Sequence, residues 1–158
     1  MTKSIRAKIH DRLIAILSGI KQELGFNNTV VSVNRIWKDP ADISSFPAIA
    51  VLSGVQHKKW ASEEEGLYEV KSEFYIIGYI RGQVDTQDGQ DFYDSADGFI
   101  KDIEDALLQD TTLAAAFVNN GPIQILVAGD DPILVEAASS MGIVSVAIVI
   151  TYYHGSTT

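Results

Sequence analysis

LYEVKSEFYIIGYIRG, residues 67–82, changes its pattern half-way along. Its first eight residues alternate, with Leu67, Glu69, Lys71 and Glu73 on one side and Tyr68, Val70, Ser72 and Phe74 on the other. This two-residue period is typical of an antiparallel strand with one face against a core. From Tyr75 to Ile80 the residues are continuously apolar, so we expect both faces to be buried there. The stretch therefore predicts a long strand that runs from a half-exposed end into the interior.

Four other apolar regions, rich in β-branched residues, predict further strands. They are VVSVNRIW (30–37), PAIAVLSGV (47–55), the pair PIQILVAG (122–129) and ILVEAA (133–138), and MGIVSVAIVITYY (141–153). Asp130-Asp131-Pro132 predicts a turn inside the pair, so the C-terminal region holds two or three strands. QHKKWASEEEG, residues 56–66, is polar and predicts the tip of a hairpin.

Two segments have the three- and four-residue spacing of amphipathic helices. The apolar stripe of the first is Ile5, Ile9, Leu13, Ile16, Leu17, Ile20 and Leu24, and that of the second is Phe92, Ala96, Phe99, Ile100, Ile103 and Leu107. Gly25 is the predicted C-terminal cap of the first helix. The second is predicted from about Asp91 to Gln109, and TTLAAAF at 111–117 predicts one more short helical turn.

These elements follow the order α-β-β-β-α-β-β, with one more strand if the turn at 130–132 separates two. Strands outnumber the helices that could connect parallel neighbours, which favours a mainly antiparallel sheet with two amphipathic helices packed on it. We therefore predict the α+β class. At 158 residues the chain is expected to form one domain, residues 1–158, with a core of its own.

Charge is distributed unevenly along the chain. The protein has 12 Lys and Arg against 21 Asp and Glu, a formal net charge of −9. Residues 1–82 hold 11 of the basic and 9 of the acidic residues, whereas residues 83–158 hold 1 and 12. Non-specific nucleic-acid binding needs a basic surface and is therefore not expected. Within one domain, the asymmetry predicts a molecule with two electrically different sides.

No residue pattern indicates catalysis, a cofactor or a metal. The chain has no cysteine, which excludes disulfides and thiolate zinc sites. The three histidines are scattered and are expected at surface or core positions. Aspartates recur every three residues from Asp85 to Asp97, but without the spacing of a calcium loop, and they are typical of a helix N-terminus. We therefore predict a non-enzymatic protein without catalytic, cofactor-binding or metal-binding residues.

Two segments bear on location. MTKSIRAKIHDRLIAIL, at the start, lacks the uninterrupted apolar run and cleavage site of a signal peptide. The most apolar run, residues 141–153, is too short to cross a membrane as a helix. We expect a soluble protein that is made in the cytoplasm and has no membrane partner.

The charged surfaces predict self-association. The candidate residues are Arg6 and Arg12 of the first helix, His57, Lys58, Lys59 and Trp60 of the hairpin tip, and Asp94, Asp97, Glu104 and Asp105 of the second helix. The basic side of one copy can meet the acidic side of the next, in a head-to-tail contact that closes into a ring. Alternatively, Glu63–Glu65 neutralise the hairpin tip, or the tip is simply solvated. Trp60 favours a contact, since aromatic residues are enriched at interfaces.

The order of the segments resembles a known family. The resemblance rests on five features in this order: the N-terminal amphipathic helix, RIWKDPADISSFPAIAV (35–51), a long hairpin with a charged tip, a helix ending in LLQDTTLAAAF (107–117), and a closing pair of strands. In this order nearly the whole chain is similar to the tail terminator, or tail-completion, proteins of long-tailed bacteriophages. The resemblance implies a homohexameric ring that caps the tail tube, ends its polymerisation and offers an attachment surface to the head.

The same resemblance implies a structural role in the virion, at the head-proximal end of the tail. The implied partners are further copies of the chain, the tail tube protein and a head-completion or connector protein, with DNA only passing through the lumen. Two alternatives stay open: another head–tail connector or neck protein, and a small cytoplasmic ligand-binding domain or enzyme. Pro40 and Pro47 either hold a joint that a ring requires or merely lower the entropy of the unfolded chain, and the second interpretation is favoured.

Overall fold

The structure, a computed structural model, describes residues 2–81, 90–109, 124–136 and 141–155. In chain order the elements are α1 (Ile5–Ser18), β1 (Ser32–Asn34), β2 (Ala48–Ser62), β3 (Leu67–Arg81), α2 (Gln90–Gln109), β4 (Gln124–Glu136) and β5 (Met141–Gly155). Two short 3-10 helices, Gln22–Leu24 and Pro40–Asp42, lie between α1 and β2. The predicted order α-β-β-β-α-β-β is confirmed.

The five described strands form one sheet in the order β1-β2-β3-β5-β4. β3 is the central strand and is antiparallel to both of its neighbours, β2 and β5. β4 is antiparallel to β5, and the three-residue β1 is parallel to β2. The mainly antiparallel sheet and the α+β class are therefore as predicted.

Both helices pack on the same face of the sheet. α1 lies over β1 and β2, whereas α2 lies over β3, β5 and β4. The helical part of the core is formed by Ile9, Leu13, Leu17, Phe92, Ala96, Phe99, Ile100, Ile103 and Leu107, and Ile20 joins the core just beyond the end of α1. Complete burial of a Leu, Ile or Phe side chain contributes about 1.5–3 kcal/mol. The matching stripes therefore hold both helices on the sheet.

The central strand allows a close approach of α2. Phe99 of α2 and Val144 of β5 lie against Gly78, where a Cβ atom would come within 2.5 Å of Phe99 and 2.6 Å of Val144. β3 is buried from Ile76 to Ile80, as its apolar run predicts. Tyr75 is an exception: it is 38% exposed, although the run predicted it to be buried. It lies on the face away from the helices, where the smaller core covers Ile77 and Tyr79 but does not include Tyr75.

The segment between β1 and β2 crosses the other face of the sheet. A second, smaller core consists of Ala48, Ala50, Ile77 and Tyr79, with Ile43 and Phe46 packed against it. The Tyr79 hydroxyl donates to the Lys38 carbonyl at 2.8 Å and accepts from the Lys38 N–H at 3.1 Å. Pro40 begins a 3-10 helix whose N-cap is Asp39. The segment is thus a packed element and not an open loop.

The first helix is shorter than predicted. It ends at Ser18, and Gly19 is its C-cap, with an N–H that donates to the Ile16 carbonyl at 3.1 Å. Glycine is a weak helix former, so the helix stops there although the apolar spacing continues. Gly25 instead caps the 3-10 helix Gln22–Leu24, with a left-handed φ of 94°.

The turn predicted at Asp130-Asp131-Pro132 is wrong. β4 continues through these residues as one strand, with an irregularity between Val127 and Gly129, and Pro132 lies opposite Val144. Proline lacks the N–H of a sheet ladder and is tolerated in an edge strand, which is the position of β4. The described C-terminal region therefore contains two strands.

The hairpin tip is also shorter than predicted. β2 extends to Ser62 and β3 starts at Leu67, so the turn consists of residues 63–66, and Gly66 has a φ of 64°. His57–Trp60 therefore lie in a strand. The predicted loop at 83–89, including Asp85, and the predicted helical turn at 111–117 lie outside the described residues.

Candidate interaction surfaces

The predicted charges lie at opposite sides of the sheet. α1 lies over β1 and β2, and α2 lies over β3, β5 and β4. We call Arg6, Lys8, Arg12 and Lys58 of α1 and β2 the basic edge. We call Asp94, Asp97, Glu104, Asp105, Asp130 and Asp131 of α2 and β4 the acidic edge. The charge asymmetry of the sequence is therefore also an asymmetry across the sheet.

The distance across the sheet limits neutralisation within one molecule. β3 and β5 lie between β2 and β4. Three strand spacings amount to about 14 Å. This exceeds the Debye length of about 8 Å at physiological ionic strength, so exposed charges on these two strands are largely screened from one another. The exposed charges of β2 and β4 therefore do not pair closely with one another within one molecule.

On the basic edge, Arg6 and Lys58 meet at a cavity. The cavity has a volume of about 350 Å³ and opens between the first turn of α1 and the sheet. Its lining consists of Ser4, Ile5, Arg6, Gln56, Lys58, Val70, Tyr152 and His154. Two residues predicted from separate elements are therefore brought together, and His154 adds a third basic side chain.

The floor of the cavity is a buried polar cluster. Gln56 Nε2 donates to Ser72 Oγ at 3.0 Å and to the Tyr152 hydroxyl at 2.7 Å. Ser72 and Tyr152 are both buried. Burial raises the pKa of the Tyr152 hydroxyl, while its hydrogen bonds with Ser72 and Gln56 and the charge of Arg6 act in the opposite direction. Sequence reasoning missed this cluster, because its three residues come from three different strands.

The other predicted hairpin residues have partners within the hairpin. His57 Nε2 lies 3.8 Å from a Glu73 carboxylate oxygen, and Lys59 Nζ lies 3.4 Å from Glu69. Trp60 stacks on Tyr68 with 4.0 Å between ring centroids, yet it stays 46% exposed. The described ion pairs thus use carboxylates of β3 in place of the predicted Glu63–Glu65.

On the acidic edge, α2 and β4 bring two carboxyl groups into contact. Burial raises the pKa of Glu104, and a hydrogen bond with Asp130 and the charges of Asp130 and Asp105 raise it further. Asp105 also forms an ion pair with Lys101, one turn away on α2. Sequence reasoning found Glu104 and Asp105 but missed Asp130, because a contact between a helix and a distant strand leaves no local pattern.

Three further predicted residues, besides Glu104 and Asp105, belong to the edges but not to the cavity lining. Arg12 is half-buried on α1, and Asp94 and Asp97 are exposed in the first half of α2. They add charge to the basic and acidic edges respectively. The structure therefore places seven of the ten predicted residues on the two edges, with Arg6 and Lys58 in a defined recess. The other three, His57, Lys59 and Trp60, have partners within the hairpin.

Asp102 differs from the other acidic residues of α2, because it is only 2% exposed. Its carboxylate accepts the backbone N–H groups of Asn27 and Asn28 at 2.9 Å. It also accepts the side-chain amides of the same two residues, at 3.1 and 2.9 Å. This carboxylate fastens the chain between α1 and β1 to α2 and has a structural role that the sequence did not reveal.

His10 lies in the core, in agreement with the expectation that each histidine occupies a surface or a core position. Its Nε2 lies 2.6 Å from the Val51 carbonyl, which can only accept, so Nε2 carries the proton. Nδ1 lies 3.3 Å from the Ser53 hydroxyl and accepts from it when the ring is neutral. Burial lowers the pKa of His10, and the charges of Arg35 and Arg6 act in the same direction. The folded protein therefore favours the neutral ring.

The described residues offer neither a metal site nor a membrane-spanning helix. Within residues 2–81, 90–109, 124–136 and 141–155, no group of three or more His, Asp or Glu side chains could hold a metal ion. None of the helices in those ranges is both long and apolar enough to cross a membrane. No protein-family model matches the chain, and no curated protein sequence matches it. Function must therefore be inferred from the geometry and charge of this chain.

Proposed function

We propose that the protein is a non-enzymatic structural subunit that binds copies of itself head to tail and forms a closed ring. The observation that supports this most strongly is the position of the basic and acidic edges on opposite sides of one sheet. A symmetric contact of either edge with itself would bring like charges together. A contact between unlike edges is heterologous, and repetition closes it into a ring when the rotation permits.

Charge alone does not supply the affinity of such a contact. Exposed ion pairs contribute about 0–1 kcal/mol each, so their main effect is to orient the subunits and exclude wrong pairings. Apolar contact must come from exposed side chains near the two edges. Trp60 on β2 and Leu126 on β4, which is 62% exposed, are the candidates. Trp in particular is common among residues that dominate binding energy.

The resemblance to tail terminator proteins supports a specific role for this ring. We propose that it caps the tail tube of a long-tailed phage, ends tail polymerisation and presents a surface to the head. The partners are then the tail tube protein on one side and a head-completion protein on the other. DNA passes through the lumen without being bound, which agrees with the net charge of −9.

The mass and shape of the purified protein test the proposal. Gel filtration with light scattering at low ionic strength should give a mass that is a multiple of 17.2 kDa, with six copies expected from the resemblance. Negative-stain images of the same fraction should show rings with a central opening. A compact monomer over the whole accessible concentration range contradicts the proposal.

The cavity beside α1 favours one other candidate function, a small ligand-binding domain. Its volume of about 350 Å³ lies near the lower end of the range of small-molecule sites. A monomer that binds a small anion through this cavity would support that candidate. Ring formation by a protein without added ligand supports the structural one.

A further inference from the structure

We infer that the cavity beside α1 is a receptor for a carboxylate side chain of a second copy, and that Asp131 on β4 supplies it. This inference rests on the proposed head-to-tail assembly and specifies the contact at its centre. Arg6 and Lys58 bind the carboxylate from opposite walls of the cavity, α1 and β2. His154 on β5 completes a basic lining.

The cations of the cavity lack the partners that other basic side chains of this region have. Lys59 and Lys71 flank Glu69 at 3.4 and 3.9 Å. By contrast, none of Arg6, Lys58 and His154 lies within 4.0 Å of a carboxylate oxygen among the described residues. Three positive or protonatable groups therefore converge on a recess in which the described chain places no counter-charge.

Two of these side chains also have unused hydrogen-bonding capacity. Arg6 donates through one terminal nitrogen to the Gly54 carbonyl, which fixes the side chain beside the cavity. Arg6 Nε and His154 Nδ1 are buried and have no hydrogen-bond partner among the described residues. Buried polar atoms are nearly always hydrogen-bonded in native proteins, because a buried polar atom without a partner is unfavourable. A ligand that accepts hydrogen bonds from these two side chains would therefore be bound more favourably.

The floor of the cavity is shaped before any ligand arrives. Gln56 is fixed by its hydrogen bonds to Ser72 and Tyr152, and both of these partners are buried. Ile5 and Val70 add apolar wall. A charged rim over a rigid polar and apolar floor suits the carboxylate and short stem of an acidic side chain.

Charge complementarity identifies a second copy as the source of this side chain. The acidic residues of β4 lie far from the cavity of their own molecule along the strand direction. Asp131 is opposite Ser145 of β5, whereas the cavity is lined by Tyr152 and His154 of the same strand, a separation of about 23 Å at about 3.3 Å per residue. On the acidic edge Asp130 contacts Glu104, and Asp105 contacts Lys101. Asp131 is exposed on the edge strand and has no ion pair among the described residues, so it is the carboxylate best placed to enter a neighbour's cavity.

Charge reversal at two neighbouring lysines tests the inference. Lys58 lines the cavity, whereas Lys59 is the next residue of the same strand and points to the opposite face of the sheet. Sedimentation at low ionic strength should show that Lys58→Glu raises the concentration of half-assembly by about tenfold or more. Lys59→Glu, the control with the same change in charge, should raise it by less than about threefold.

A charge swap then tests the partner residue. Asp131→Lys alone should weaken assembly as Lys58→Glu does. The double variant Lys58→Glu with Asp131→Lys should restore assembly to within about threefold of the original protein, because the pair is present again with its signs exchanged. Circular dichroism melts of all four variants should match the original, since Lys58, Lys59 and Asp131 are all exposed.

Several results separate this inference from the proposed function. If the original protein assembles but Lys58→Glu and Lys59→Glu weaken it equally, the cavity assignment is wrong and the head-to-tail ring still stands. An effect of Lys58→Glu without any effect of Asp131→Lys overturns the assignment to Asp131. A protein that stays monomeric and binds sodium succinate through Lys58 overturns both the second-copy assignment and the ring.

Discussion

The basic and acidic edges of this molecule hold their charges in different ways. On the basic edge, Arg6 and Lys58 face a recess with a fixed floor, and the described chain offers them no carboxylate. On the acidic edge, burial raises the pKa of Glu104, and the neighbouring Asp130 raises it further. Arg6 and Lys58 of the basic edge therefore have no carboxylate partner among the described residues, whereas Glu104 of the acidic edge lies beside a second carboxyl group.

The comparison shows which surface charges stabilise the subunit and which do not. Carboxylates that accept several N–H groups, as Asp102 does, strengthen the fold. Carboxylates that lie beside other carboxylates, as Glu104 does, weaken it slightly at neutral pH. A carboxylate beside another carboxylate, such as Glu104, does not stabilise the isolated subunit. This favours a role in contact with a basic surface.

The largest expected effect on stability is the loss of Asp102, the buried carboxylate of α2, compared with the loss of an exposed carboxylate of the same helix. Asp102→Ala removes the acceptor of four hydrogen bonds and leaves two backbone N–H groups without a partner. We expect a loss of about 3 kcal/mol in the free energy of unfolding, measured by urea denaturation. Asp97→Ala, on the exposed arc of the same helix, should change it by less than about 0.5 kcal/mol. Equal losses would mean that the two kinds of carboxylate do not differ.

The next effect is the pH dependence of stability that arises from His10, in the core below the basic edge. The pKa of His10 is lower in the folded protein than its ordinary value of 6.5, so the unfolded chain binds more protons between these two values. The free energy of unfolding that neutral His10 contributes is fully present above pH 6.5. It is lost as the pH falls from 6.5 to the lowered pKa of folded His10, by at most about 1.4 kcal/mol per pH unit. Urea denaturation from pH 7.5 downwards measures this slope.

Two glutamine variants assign the slope to one histidine. His10→Gln keeps an N–H donor near the Val51 carbonyl but cannot titrate, so its stability should vary less with pH than that of the original protein. His57→Gln changes an exposed residue and should leave the slope as it is. A slope that persists in His10→Gln shows that another group is responsible.

Adjacent tyrosines on β5 compare the cavity floor with the opposite face of the sheet. Tyr152→Phe removes the hydroxyl that accepts from Gln56 at 2.7 Å in a buried position. We expect a loss of about 1 kcal/mol in the free energy of unfolding. Tyr153→Phe removes a long 3.5 Å hydrogen bond to Glu69 and should cost less than about 0.5 kcal/mol. The reverse order would show that the floor of the cavity is not rigidly built.

The smallest expected effect is that of Glu104→Gln, which should stabilise the folded subunit slightly but weaken assembly slightly. Glu104→Gln replaces a carboxylate that lies beside Asp130 with a neutral amide, which can donate to Asp130. At pH 7 the variant should unfold at a slightly higher urea concentration than the original protein, because the folded state raises the pKa of Glu104 and so disfavours its charged form. Assembly should weaken slightly, since one acidic charge is lost. A decrease in both properties would contradict the distinction between the two edges.

The fold could be predicted from local patterns because its stripes and strands are regular. The alternation of 67–74 and the spacing of Phe92, Phe99 and Leu107 gave the central strand and second helix correctly. The errors occur where tertiary position overrides a local signal. Pro132 marks a turn in sequence, but on an edge strand its missing N–H costs no ladder hydrogen bond.

The candidate site could be predicted only in part, for a related reason. Charge patterns identified Arg6 of the first helix and Lys58 of the hairpin as candidates for self-association, but they did not show that the two residues lie on one surface. The cavity between them depends on the register of three strands, which pairs Gln56 with Ser72 and Val70 with Tyr152. The contact of Glu104 with Asp130 likewise depends on how α2 lies over β4. Neither is encoded in local spacing.

The dependence of mass on salt tests the central claim most directly. Sedimentation velocity of the purified protein should be measured at one protein concentration, from about 0.05 M to about 1 M NaCl, where the Debye length falls to about 3 Å. If unlike edges orient the subunits, the large species at low salt should give way to smaller ones as salt increases. A ring whose size does not change over this range, or a chain that is monomeric throughout it, contradicts the claim.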